Sequence, residues 1–244
     1  MSMSIRNLTD EDRGGYKNIL LYGDSGTGKT HTSATAVQVE EMRPVLFISV
    51  EDKVESIMNV EGYEDIEVLT FDQWRDLNDI YEYIEENDFN TIVIDSATRL
   101  QQMANDFITG REGDEFTFDG DISSPSRNSW GKILLLFNKV VDEFNKLDCN
   151  VIYTALQDRE KDDYTGKVKQ VPSFSGSKTS NTISAKMDIV GKVTTYTKDG
   201  ETKRAIKFSG DDSDLVNDTT NRLGQGLKDD PTFQDIWNKI VDKA

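Results

Sequence analysis

An eight-residue segment near the amino end has the composition and spacing of a loop that binds phosphate. It matches the pattern G-x-x-x-x-G-K-[ST] in full. Glycines let such a backbone wrap with its N–H groups turned inward, which forms a concave site for an anion. The lysine of this pattern reaches the β and γ phosphates of a nucleoside triphosphate, and the hydroxyl that follows it ligates Mg²⁺. The residues expected at the nucleotide are Gly23, Asp24, Ser25, Gly26, Thr27, Gly28, Lys29 and Thr30.

The flanking sequence has the order that this loop needs. Residues 18–22 form a short apolar run that predicts a buried strand, and a helix is predicted from about Lys29 to Met42. The sequence therefore predicts a P-loop NTPase that binds ATP with Mg²⁺. His31 directly follows Thr30 and is a further candidate for contact with the nucleotide, although its position favours an ordinary residue on the helix face.

A carboxylate at the end of another buried strand is the second candidate for the metal site. The run 91–95 is apolar up to Asp95, and in P-loop NTPases such a strand-end aspartate holds Mg²⁺ together with the loop hydroxyl. Asp95 is therefore predicted to act with Thr30 at the metal. The alternative is that Asp95 caps the helix that follows.

Hydrolysis also needs a group that orients or deprotonates the attacking water. Glu51 directly follows the strand predicted over 45–50, at the edge of the sheet where ligands bind in α/β folds. Asp52 is next to it and could replace it. The alternative is that this acidic pair begins a helix and complements its dipole.

Buried apolar runs alternate with amphipathic segments along the chain, which predicts an α/β fold. We expect a mainly parallel twisted sheet with helices on both faces and an antiparallel hairpin near the carboxyl end. The predicted strands lie near residues 18–22, 45–50, 66–69, 91–95, 151–155, 189–197 and 202–209. The predicted helices span about 29–42, 72–86, 97–108, 126–147 and 231–243, and Asp72 is expected to cap the second of them. Irregular loops are expected at 110–125 and 158–180, and the second of these is predicted to be long and mobile. The predicted units are a flexible lead-in at 1–16, an ATPase core at 17–225 and a helical tail at 226–244.

Composition and charge argue against several classes of function. The net charge is −17, which argues against a general nucleic-acid coat, yet residues 159–207 hold eleven Lys or Arg against six Asp or Glu. One histidine and one cysteine exclude an ordinary zinc site. No apolar run approaches the roughly 20 residues of a membrane span, so we expect no membrane contact and a cytoplasmic protein, in the host cytoplasm if a phage encodes it.

Three strand ends together resemble the RecA-like ATPase core, and more closely its compact phage-type members, which include ATPases of single-strand annealing and recombination. The three segments read VLFISVED, TIVIDS and VIYTALQ, and the likeness covers roughly residues 17–225. The resemblance implies that Glu51 is the catalytic glutamate and Asp95 the magnesium aspartate. It also implies that Gln157 senses the γ-phosphate and passes its state to the loop that follows.

The same resemblance implies partners. The loop at 158–180 corresponds to the one that contacts single-stranded DNA, so its basic residues would neutralise phosphates while Tyr164 or Phe174 stacks on bases. Family members act as rings or filaments with ATP at subunit boundaries, which gives a basic residue of a late strand the role of a finger in a neighbour's site. The alternative for these residues is an ordinary solvated surface. The DNA candidates are Arg159, Lys161, Lys167, Lys169 and Lys178, and the finger candidates are Lys203, Arg204 and Lys207.

The sequence thus predicts an ATP-hydrolysing phage recombination protein that holds single-stranded DNA for annealing or strand pairing. Its expected partners are other copies of the chain and phage or host replication and recombination proteins. The alternative is an NTPase switch, such as a helicase-loader-like accessory factor, that acts on a protein partner in DNA metabolism. A third reading is a nucleotide-binding module with negligible hydrolysis.

Overall fold

The computed structural model describes residues 15–51, 54–111, 126–161, 166–176, 178–210 and 212–241. Within them a mixed sheet forms the centre of the molecule. Its strands are β1 (Asn18–Gly23), β2 (Val45–Ser49), β3 (Ile66–Thr70), β4 (Thr91–Asp95), β5 (Asn150–Lys161), β6 (Val168–Pro172), β7 (Ile189–Lys198), β8 (Glu201–Lys207), β9 (Asn217–Asp218) and β10 (Gly226–Lys228). The predicted α/β class is confirmed.

The strand order places the phosphate loop at the middle of the sheet. The order is β10-β8-β7-β1-β5-β4-β2-β3, and the neighbours from β7 through β3 pair in parallel. The carboxyl ends of β1, β4 and β2 therefore open on the same edge, where ligands of parallel α/β sheets bind. β8 continues the sheet as the antiparallel partner of β7, which confirms the predicted hairpin.

Six α-helices accompany the sheet in the described part of the chain, and they confirm the predicted alternation with shifted ends. They are α1 (Lys29–Ala34), α2 (Leu77–Glu86), α3 (Ala97–Thr109), α4 (Arg127–Phe144), α5 (Thr179–Ser184) and α6 (Phe233–Ile240). Two apolar clusters cover the two faces of the sheet. None of the helices in the described ranges has both the length and the apolar character needed to cross a membrane.

The helix predicted to run from Lys29 to Met42 is wrong in its second half. The α-helix ends at Ala34, and 3-10 turns over Thr35–Gln38 and Glu40–Met42 follow. The hydroxyl of Thr35 donates to the carbonyl of Thr32 (2.6 Å) and accepts from the N–H of Phe233 (2.8 Å). Such side-chain bonds to nearby backbone compete with regular helix, and here they also dock α6.

The predicted cap at Asp72 is also wrong. A 3-10 turn over Trp74–Asp76 precedes α2. Its capping contact runs from the N–H of Gln73 to Asp76 Oδ2 at 3.2 Å. Gln73 and Asp76 therefore form the capping contact before this helix, in place of Asp72.

The loop predicted over 158–180 is wrong for most of its described residues. β5 continues past the body of the sheet to Lys161 and pairs with β6 as an antiparallel ribbon, and α5 follows at Thr179. The β5 part of this ribbon, residues 157–161, has polar side chains on both faces, which removes the apolar alternation by which strands are recognised in sequence. The loop predicted at 110–125 lies almost entirely outside the described residues.

Candidate nucleotide site

The phosphate loop connects β1 to α1 in a backbone conformation that depends on glycine. Gly26 and Gly28 have φ angles of 77° and 87°, in the left-handed region that glycine adopts without strain. The hydroxyl of Thr27 donates to the carbonyl of Asp24 at 2.9 Å, which fixes the turn. The predicted sequence of strand, loop and helix is thus present at this position.

Lys29 folds back over its own loop. Its Nζ donates to the carbonyl oxygens of Gly23 (3.0 Å) and Asp24 (2.8 Å), and the residue is only 8% exposed. Burial lowers the pKa of Lys29, while the negative charges of Asp95, Asp24 and Glu51 act in the opposite direction. The ammonium group therefore lies at the mouth of the loop, held by weak carbonyl acceptors that a phosphate oxygen can replace.

Asp95 receives a hydroxyl on each of its carboxylate oxygens. Thr30 Oγ1 donates to Oδ2 at 2.7 Å, and the fully buried hydroxyl of Thr154 donates to Oδ1. Burial raises the pKa of Asp95, and the two hydroxyl bonds lower it. The structure therefore brings together the two residues, Thr30 and Asp95, that the sequence assigns to the metal.

Glu51 is oriented by the residue that follows Asp95. Ser96 Oγ donates to Glu51 Oε1 at 3.1 Å and accepts the N–H of Arg99 at 3.3 Å, so that one hydroxyl caps α3 and holds the glutamate. The helix cap predicted as an alternative for Asp95 is supplied by Ser96 instead. Glu51 thus lies at the end of β2, beside the end of β4, as the strand order requires.

These side chains enclose one cavity of about 300 Å³. A second cavity, of about 540 Å³, adjoins it and shares Glu51 and Leu156 with it. The first cavity is lined by Ser25, Gly26, Gly28, Lys29, Thr30, Glu51, Ser56, Asp95, Ser96 and Leu156. The cation, the hydroxyl and the two carboxylates predicted from sequence therefore face a common space beside the loop.

The donor set of this cavity fits magnesium. Mg²⁺ takes hard oxygen ligands, keeps several waters and is held in nucleotide sites by one or two protein oxygens plus phosphate. Thr30 and Asp95 supply two such oxygens. In the described part of the chain no group of three or more His, Cys, Asp or Glu side chains could hold a metal ion by itself.

Gln157 links the loop to the ribbon of β5 and β6. Its Nε2 donates to Asp24 Oδ1 at 3.3 Å, and its backbone pairs with Pro172 at the base of the ribbon. Gln157, the residue predicted to sense the γ-phosphate, thus contacts the phosphate loop through its side chain.

The residues predicted to contact DNA are distributed around this ribbon. Arg159 and Lys161 are exposed and, being two positions apart on β5, lie on one face. Lys169 is opposite Glu160 in the register, and Lys167 pairs with Asp212 at 3.3 Å. Lys178 is exposed at the start of α5.

The two aromatic residues predicted to stack on bases have different outcomes. Phe174 is 8% exposed, and its ring centroid lies 5.4 Å from that of Phe137, so the prediction is wrong: the side chain belongs to the apolar core. Tyr164 lies outside the described residues.

The three finger candidates lie on β8 with separate surroundings. Lys203 pairs with Glu201 (2.9 Å) and Asp230 (3.5 Å). Lys207 pairs with the buried Asp214 at the far end of the strand. Arg204 instead approaches the phosphate loop of its own chain.

Arg204 meets His31 at this loop. Its Nη1 lies 2.8 Å from His31 Nδ1 and 3.5 Å from the carbonyl oxygen of Gly28. Burial, followed by the charge of Arg204, lowers the pKa of His31. A neutral imidazole is therefore favoured at pH 7, and its Nδ1 accepts from the guanidinium.

Ser96 and Thr154 are the functional candidates that sequence reasoning missed. Ser96 directly follows the metal aspartate, and Thr154 is a polar residue in the apolar run of β5. A buried polar residue inside an apolar strand needs a partner, and that signal could have identified Thr154.

The central parallel sheet, the complete loop motif and the paired Thr30 and Asp95 define the molecule as a P-loop NTPase. A family profile described as an AAA domain matches residues 16–220, and the chain belongs to that family. No curated protein matches the sequence.

Two solved structures are similar to this chain. The KaiC-like protein PH0186 from the hyperthermophilic archaeon Pyrococcus horikoshii OT3 is 19% identical over 79% of this chain and 78% of that chain, with a TM-score of 0.47. The flagellar accessory protein FlaH from Methanocaldococcus jannaschii is 13% identical over 84% of this chain and 80% of that chain, with a TM-score of 0.46.

Proposed function

We propose that this chain binds ATP with Mg²⁺ at the phosphate loop and hydrolyses it. The observation that supports this most is the shared cavity that Lys29, Thr30, Asp95 and Glu51 face. A cation, a metal-binding hydroxyl and carboxylate pair, and a separate glutamate are the protein groups that hydrolysis of a γ-phosphate needs.

Each of these side chains has a distinct role in the proposal. Lys29 exchanges its loop carbonyls for phosphate oxygens and balances their charge. Thr30 and Asp95 would hold Mg²⁺, which when bound neutralises charge on the β and γ phosphates. Glu51, oriented by Ser96, accepts a hydrogen bond from the attacking water and aligns it with the γ-phosphorus.

Two substitutions test this assignment through the release of phosphate from ATP. Lys29→Ala removes the cation at the loop and should abolish both binding and turnover. Glu51→Gln keeps the size of the side chain but removes the carboxylate, so it should retain ATP binding while losing turnover by roughly 100-fold or more, as expected for loss of a general base. Normal turnover in Glu51→Gln would show that another group orients the water.

We further propose that the ATPase acts in phage DNA recombination, where it holds single-stranded DNA for annealing or strand pairing. Support comes from the sequence resemblance and from the ribbon of β5 and β6, which leaves the sheet beside the phosphate loop. Arg159 and Lys161 give one face of the ribbon positive charge, while Asp158 and Glu160 alternate with them and point to the opposite face. Gln157 connects the base of the ribbon to Asp24 of the loop.

The salt dependence of binding tests this second part. With a non-hydrolysable ATP analogue, affinity for a single-stranded oligonucleotide should fall steeply with salt, and Arg159→Ala with Lys161→Ala should reduce the slope by about 1.4 at roughly 0.7 per phosphate contact. Lys146→Ala is the control, since this exposed lysine pairs with Glu143 at the end of α4, away from the ribbon. If the chain binds no DNA at low salt, the alternative of a switch that acts on a protein partner is favoured.

A further inference from the structure

The sheet order divides the surroundings of the phosphate loop into two sides. β5, β4 and β2 lie on one side of β1 and bring Asp95 and Glu51 to the loop. β7 and β8 lie on the other side, and Arg204 of β8 reaches the loop from there. The first side carries Asp95 and Glu51, which are assigned to the metal and to the water that attacks the γ-phosphate. A nucleotide held in the loop must therefore extend its nucleoside away from that side.

Arg204 lies closely over the loop backbone. A Cβ atom added to Gly28 would fall 2.6 Å from Arg204 Cδ and 2.8 Å from Nη1. Gly28 directly precedes Lys29, and the backbone at this point of the motif wraps the α and β phosphates. The guanidinium is thus positioned next to the part of the loop that takes those phosphates.

The guanidinium is also held in this position by its own chain. The N–H of Arg204 donates to Asp230 Oδ1 at 2.8 Å, and Nε lies 3.5 Å from the same oxygen. Nη1 contacts His31 Nδ1 and, more distantly, Thr32 Oγ1 at 3.5 Å. With Asp230 behind it and His31 beside it, only 19% of the side chain is exposed. A fixed guanidinium fork is well suited to binding phosphate oxygens.

We propose that Arg204 contacts the α-phosphate of the nucleotide bound by the same chain, with His31 and Asp230 as positioning residues. This inference rests on the proposed function, because it names a further contact at the same site. It gives Arg204 a role in nucleotide affinity within one chain, whereas a finger would act on the nucleotide of a neighbouring subunit.

Nucleotide affinity measured at high dilution, where any association between chains is weakest, separates these roles. ADP titrations of Arg204→Ala and Arg204→Gln should show roughly 10- to 100-fold weaker binding than the unaltered chain, the range for loss of a charge-assisted hydrogen bond. Arg204→Gln keeps most of the side-chain length and covers the case in which the alanine variant fails to fold. Lys198→Ala is the matched control, since it removes one positive charge from the same hairpin, where Lys198 is 50% exposed and pairs with Asp229 at 2.8 Å. It should bind ADP normally.

Mixing variants gives the second test. If Arg204 acts within its own chain, a mixture of Arg204→Gln and Lys29→Ala chains has no intact site, so its ATP hydrolysis should not exceed that of the Arg204→Gln chains alone. Recovery of ATP hydrolysis on mixing would overturn the inference and favour a finger. Unchanged ADP affinity in both Arg204 variants would also overturn it. If the unaltered chain itself binds neither ADP nor ATP, the proposed function fails instead.

Discussion

Replacing Ser96 by alanine removes one hydroxyl that serves two purposes. The hydroxyl accepts the N–H of Arg99 at the start of α3 and donates to Glu51 Oε1. Loss of a serine cap costs about 1 kcal/mol, which for a protein of this size lowers Tm by roughly 2–4 °C. A hydrogen bond to a charged group contributes about 1.5–3 kcal/mol. If that bond orients Glu51 for catalysis, turnover should fall by roughly 10- to 100-fold while ATP binding is retained.

Ser126→Ala is a matched control for the stability effect. Ser126 caps α4 in the same way, with its Oγ accepting the N–H of Ser129 at 3.2 Å, and it is exposed. The assay measures kcat, KM for ATP and Tm for both variants and for Ser96→Thr, which keeps a hydroxyl. Both alanine variants should lose stability, and Ser96→Ala should lose at least as much as Ser126→Ala because its bond to Glu51 is removed as well. Only Ser96→Ala should lose kcat, and Ser96→Thr should recover part of it. Equal kcat in Ser96→Ala and Ser126→Ala would refute the orienting role.

The remaining predictions concern the metal, the buried charges and the last helix. Thr154→Val keeps the shape of the side chain but removes the hydroxyl on Asp95, so the Mg²⁺ concentration for half-maximal hydrolysis should rise roughly 10-fold or more; an unchanged magnesium curve would argue against that role. Asp214→Asn should lower the free energy of unfolding by about 3 kcal/mol at pH 7, because it removes the buried negative charge with which Lys192 and Lys207 both pair. Burial raises the pKa of Asp214, but the bonds from both lysines outweigh burial and the pKa is lowered. The contribution of Asp214 to stability is therefore complete above the unfolded pKa of about 3.9 and is lost as the pH falls below it. Denaturant titrations should show the stability difference between Asp214→Asn and the unaltered chain shrinking below about pH 4. Ile236→Ala should cost about 2–5 kcal/mol, since the side chain is fully buried in α6; a much smaller loss in the same titrations would mean that α6 contributes little to the core.

The parts of the site that the sequence predicts well are those in which one chemical requirement selects particular residues. A loop that wraps phosphate needs glycine at Gly26 and Gly28, where φ is positive, and a cation at Lys29. Strand ends followed by a carboxylate identify Asp95 and Glu51, because the carboxyl ends of parallel strands share one edge. The α/β class follows from the same buried runs.

The parts that the sequence does not predict depend on tertiary context. The part of β5 that forms the ribbon is polar on both faces, so Arg159 and Lys161 resemble loop residues in sequence. The residue type of Phe174 is compatible both with stacking on a base and with packing against Phe137, and only the fold decides between them. The position of Arg204 over its own phosphate loop depends on the pairing of β8 with β7 and on Asp230, far along the chain. Hydrophobic periodicity carries no information about such contacts.

Calorimetric titration of the folded chain with ATP in millimolar magnesium tests the central claim most directly, because it needs neither turnover nor a partner. The account predicts a binding heat with about one site per chain, as expected of one loop with one triphosphate, and no such heat for Lys29→Ala. A folded, unaltered chain that gives no heat with ATP, or a Lys29→Ala variant that binds ATP as tightly, would contradict it.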